Sequence, residues 1–145
     1  MKTLLVALFM VASSDAYACR DFTGIFHDPD AASCLENRQT GCERLLQTVH
    51  FKTARPITTD FITDGALRRY PVERSMRKAI RYDAEGRQVF LGLDDQNGRI
   101  DGLYTRRGDG NIHALTVWTS AEGEAWEFES LLTEMPTLDE CKSRL

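Results

Sequence analysis

The sequence predicts an all-β fold, an antiparallel up-and-down meander closing into a small barrel of about eight strands. Three observations carry this expectation. Apolar residues recur with period two, as where Trp126, Phe128 and Leu132 alternate with Glu127 and Glu129, so that one strand presents two unlike faces. Turn-forming sequences separate such runs at short intervals: Asp83-Ala84-Glu85-Gly86, Asn97-Gly98, Gly108-Asp109-Gly110-Asn111 and Ala121-Glu122-Gly123. Helical patterning is scarce, and a meander of this length protects its edges best by closing or nearly closing.

Taken in chain order, residues 1–18 read as a cleavable signal peptide. Lys2 gives a positive start, Leu4 to Ala12 an apolar run, and Ala16-Tyr17-Ala18 the small-x-small pattern before the cut. The apolar run is about nine residues, well short of the roughly 20 that cross a bilayer. Residues 19–145 then form one disulfide-containing barrel-like domain, exported to the periplasm or secreted. All four cysteines, Cys19, Cys34, Cys42 and Cys141, lie in this part, and an even number in a short exported chain predicts two disulfides. Of the three possible pairings, Cys34 with Cys42 and Cys19 with Cys141 is preferred, a short loop plus a tie between the ends. Cys19 directly after the cut admits an alternative, a lipoprotein acylated there, although Ala16 stands where an apolar Leu is usual.

Strands are predicted at 22–27, 44–52, 58–63, 76–82, 88–94, 100–106, 112–119 and 126–132, the last five a continuous meander. The Asn97-Gly98 pair suits a two-residue type I′ hairpin. Short helical segments are expected near 31–37 and 137–143; in the second, Thr137 and Glu140 form a capping box after Pro136.

Net charge is −4 but uneven. Residues 52–87 hold nine Lys or Arg against five Asp or Glu, whereas 88–145 hold five against eleven. Arg68, Arg69, Arg74, Arg77 and Arg81 are interleaved with apolar residues, which reads first as a solvated sheet face and second as a protein-contact surface. The acidic balance and the compartment argue against nucleic acid. His27, His50 and His113 have no second histidine at ligand spacing, and the cysteines lack a C-x-x-C pair, so no metal or other cofactor is expected. Asp94 to Asp101 resembles a calcium loop until Gly98 is aligned to its sixth position; Leu93 and Tyr104 then fall where oxygen donors are required. No nucleophile elbow or phosphate loop is present, and no catalytic residue is assigned.

Gly24-Ile25-Phe26, early in the first mature strand, with the up-and-down strand series behind it, resembles the calycin superfamily, the lipocalins and fatty-acid-binding proteins, whose first strand carries Gly-x-Trp. Phe26 replaces the Trp. The resemblance implies a barrel with an internal cavity for a small apolar ligand, Gly24 and Phe26 closing its base. Tyr82, Phe90, Tyr104 and Trp118, recurring along successive strands, are then the candidates for the cavity wall. The expected function is that of an exported, non-enzymatic binding protein carrying a small apolar or amphipathic ligand. A protein-binding module, such as an inhibitor of an envelope or foreign enzyme, is the alternative.

Overall fold

A computed structural model describes residues 19–145; the signal sequence assigned to 1–18 lies outside them. The strands are β1 (Gly24–Asp28), β2 (Ser33–Thr40), β3 (Arg44–Phe51), β4 (Ile57–Ile62), β5 (Arg68–Tyr70), β6 (Glu73–Tyr82), β7 (Gln88–Asp94), β8 (Arg99–Arg106), β9 (Ile112–Thr119) and β10 (Ala125–Met135), followed by the helix α1 (Leu138–Lys142). All pairings are antiparallel in one ten-stranded sheet ordered β4-β3-β2-β1-β10-β9-β8-β7-β6-β5. The sheet curls until its two ends meet through side chains. Phe61 of β4 packs edge-on against Tyr70 of β5 at 4.9 Å, the Tyr70 hydroxyl accepts from the Ile62 amide, and the Gly65 amide donates to the Ile80 carbonyl. A near-closed antiparallel barrel with one short helix therefore holds, with ten strands in place of about eight.

Both additional strands have a physical explanation. Residues 31–37, expected as a helical turn, lie in a turn at 31–32 and then in β2, which is paired along its length with β3 and over 33–37 with β1. Its inner face carries Ser33, Leu35 and Asn37, two of them polar, so the apolar alternation that marks a strand is missing. β5 is too short for any periodicity and ends in a register shift after Arg69.

The disulfides pair otherwise than preferred. Cys19 joins Cys42 and Cys34 joins Cys141. Because β2 is extended, Cys34 and the turn holding Cys42 lie at opposite ends of a strand roughly 20 Å long, too far for one bridge. Cys42 meets the incoming N-terminal segment instead. Cys34, on the outer wall, meets α1, which covers Ile25, Cys34 and Met135 there. With its sulfur in a bridge, Cys19 has no thiol left to acylate.

Helix α1 begins as its capping box predicts: the Thr137 side chain accepts from the Glu140 amide at 3.2 Å. The Asn97-Gly98 turn differs from type I′, since Asn97 has positive φ but Gly98 does not. Asp94 instead folds over the loop, its carboxylate accepting from the Gln96 and Gly98 amides, and a side chain at position 98 would collide with that carboxylate.

Candidate functional site

Strand pairing fixes which residues face inward, since directly opposed residues share a face. One inward row runs Tyr82–Gln88–Tyr104–Ala114–Ser130 and the next Ile80–Phe90–Gly102–Thr116–Phe128. Across the barrel the matching rows are Asn37–Gln47–Thr59 and Phe26–Leu35–Val49. These walls enclose a cavity of about 410 Å³.

One end of the barrel is closed. The segment before β1 crosses it and buries Phe22, whose amide donates to Gln39 Oε1. Phe26 is wholly buried; its ring leans back over Gly24, where a Cβ would sit 3.0 Å from the ring, and Gly24 holds φ +150°, a conformation suited to glycine. The Arg106 guanidinium lies 4.9 Å from the Phe26 ring centroid and donates to the Thr23 carbonyl and to Glu134. The Gly-x-aromatic pattern in β1 thus has a structural role at the closed end.

The cavity lining mixes apolar and polar groups. Phe22, Leu35, Val49, Phe61, Phe90 and Leu132 supply apolar wall. Asn37 and Gln47 form a hydrogen-bonded amide pair on one side, Gln47 Nε2 donating to Asn37 Oδ1 at 3.1 Å. Gln88 and Tyr104 stand on strands β7 and β8, five positions round the ten-strand order and so on the opposite side. Gln88 is 7 % exposed; its Nε2 makes no well-formed hydrogen bond among the described residues and interacts only weakly with the hydroxyl of its cross-strand neighbour Tyr82. Burial raises the pKa of both Tyr82 and Tyr104 above the usual phenol value.

Phe90 and Tyr104, two of the four aromatic residues expected on the wall, border the cavity. Tyr82 packs against Phe22 at the closed end, ring centroids 6.1 Å apart. Trp118 stands at the open rim, stacked on Trp126 at 4.7 Å and 36 % exposed, and is not among the cavity-lining residues. Of the arginines, Arg69 stands directly opposite Arg77, on the face of β6 that also carries Arg81. Arg68 binds Asp64 through both terminal nitrogens, holding that carboxyl well below the usual range, and Arg69 pairs with Asp95. Arg74, Arg77 and Arg81 are exposed along β6.

The histidines lie on the outer wall: His50 Nε2 is 3.2 Å from Glu36 and His113 Nε2 is 2.6 Å from Glu129, and neither pair borders the cavity. Sequence reasoning missed Asn37, Gln47 and Gln88. Their signal, amides spaced by two from apolar residues, is indistinguishable from a solvent-facing row until the barrel closes. Comparison with known protein families and with curated proteins returned no match to this chain.

Proposed function

We propose that this chain is a non-enzymatic binding protein of calycin type, exported and processed after Ala18, which encloses one small amphipathic ligand. The observation that supports it most is the cavity of about 410 Å³, within the range of about 300 to 1,000 Å³ usual for small-molecule sites. Its lining, mostly apolar and amide groups with Asp28 and Lys78 as its two charged side chains, suits a largely apolar body with a few hydrogen-bonding groups. Apolar side chains bury most of such a ligand, while Asn37, Gln47, Tyr104 and the weakly bonded Gln88 amide meet its polar atoms; a buried amide left wholly unpaired costs about 1 to 3 kcal/mol, and a ligand acceptor would recover part of that at Gln88.

The test is titration with N-phenyl-1-naphthylamine, an uncharged probe that fluoresces in apolar surroundings. Saturable enhancement is expected for the wild type. Ala114→Phe, which extends a wall residue into the cavity, should abolish it while the far-ultraviolet circular dichroism stays native. Trp118→Ala should leave it unchanged, because Trp118 does not border the space. No uptake by folded wild-type protein would overturn the proposal.

A further inference from the structure

Strand β10 has neighbours of unequal reach. β9 accompanies it from Ala125 to Leu132, but β1 pairs only with Thr133, Glu134 and Met135. Along residues 125–131 the second edge has no strand beside it among the described residues. The turn after β1 passes near, with the Ser130 hydroxyl donating to Asp30 at 2.5 Å, and a groove of about 590 Å³ lies between them, bordered by Asp28, Asp30, Ala31, Glu127, Phe128 and Glu129. The Ser120 amide donates to the Glu124 carbonyl at 2.8 Å, which sets the ladder's parity. The backbone amides and carbonyls of Ala125, Glu127 and Glu129 therefore face away from β9, toward this open edge.

The two faces of the segment differ sharply. Trp126 and Phe128, 41 % and 56 % exposed, share one face, and Glu127 and Glu129 the other. No Lys or Arg occurs between Arg107 and Lys142, whereas the β9–β10 hairpin carries Glu122, Glu124, Glu127 and Glu129; Glu129 also contacts His113. A second copy pairing edge to edge would bring glutamates against glutamates, which is destabilising. A basic strand meets the opposite situation.

We propose that the open edge of β10 binds an extended segment of another protein, with Lys or Arg alternating with apolar residues, adding it as an antiparallel strand beside residues 125–129. Alternation satisfies both faces at once: basic side chains meet Glu127 and Glu129, apolar ones meet Trp126 and Phe128, and the partner's backbone pairs with the outward amides and carbonyls. This groove adjoins the open end of the cavity and shares Asp28, Ala31, Thr116 and Ser130 with its lining, but the docked strand lies along the outer edge of β10 and leaves the interior itself free.

An octapeptide of four Lys-Val repeats, titrated against the purified protein by isothermal calorimetry, is the probe. Saturable, salt-weakened binding is expected, with none for a Glu-Val octapeptide or for the Lys-Val peptide N-methylated at alternate residues. E127K/E129K should weaken binding by about tenfold or more, as removing a complementary charge pair does. Glu127→Pro removes one outward amide on an edge that tolerates proline, so it should abolish binding while uptake of N-phenyl-1-naphthylamine remains. Equal binding of the N-methylated peptide, or no binding of the unmodified peptide by the wild type, would overturn the proposal; the cavity reading is judged separately by the uptake of the naphthylamine.

Discussion

The two ends of the barrel are built from the same strands with the same alternation, yet they behave as different materials. At the closed end the inward residues Ile112 and Leu132 on β9 and β10 are 2 % exposed and pack against Phe22 and Phe26. A few residues along those strands, on the same face, Trp118 and Phe128 are 36 % and 56 % exposed. Nothing in side-chain chemistry separates the two sets. What differs is whether the wall curls back: at the closed end the N-terminal segment, the Arg106 contacts and the β1–β10 pairing cover the inner face, while β9 and β10 run past β1 at the other. Alternation assigns a side chain to a face, and only closure turns that face into an interior.

The largest expected effects come from breaking the covalent ties. The Cys34–Cys141 bridge spans 107 residues and the Cys19–Cys42 bridge 23. On the chain-entropy model, removing the first by a double serine substitution should cost about 5 kcal/mol and removing the second about 3.4 kcal/mol, read by urea unfolding. The second also frees the segment that seats Phe22, so its loss should raise accessibility at the closed end specifically, measured as faster hydrogen exchange around Gln39 and Gly86, which bond that segment. Equal exchange at both ends after its removal would dissolve the contrast drawn above.

Phenylalanine truncation compares the ends directly. Phe26→Ala should cost about 3 to 5 kcal/mol, since a fully buried ring leaves a void and uncovers Arg106, whereas Phe128→Ala should change stability by about 0.5 kcal/mol or less, as at other exposed sites. Similar costs for both, in parallel urea titrations, would mean that the open rim is packed as a core.

The smallest effect is alkaline. Burial raises the folded-state pKa of Tyr82 and Tyr104, so the folded protein keeps protons that the unfolded chain releases near pH 10. Stability from these groups is fully present below pH 10 and falls as pH rises above it, by up to about 1.4 kcal/mol per pH unit for each tyrosine. Tyr82→Phe and Tyr104→Phe should each flatten that decline, checked by urea midpoints on either side of pH 10.

Much of the architecture was readable in the residues. The five-strand meander from β6 to β10 follows the predicted runs closely, because glycine-bearing turns punctuate clear alternation there, and the capping box at Thr137 marks α1. The candidate site was read less fully. Phe90 and Tyr104 were found because aromatic residues at period two stand out; Asn37, Gln47 and Gln88 were not, because an inward amide looks like an outward one along the chain.

By itself the sequence determined where strands turn and which side chains share a face, since both follow from steric preferences acting over two to four residues. Tertiary structure decided which cysteines meet, which end of the barrel is plugged, and which stretch of one face lies open as an edge. Those outcomes depend on how ten strands curl and how far each extends beside its neighbour, and they bring Cys34 to Cys141 and Phe26 to Arg106 from distant parts of the chain. No local pattern encodes such meetings, because each is fixed only when the whole sheet has closed.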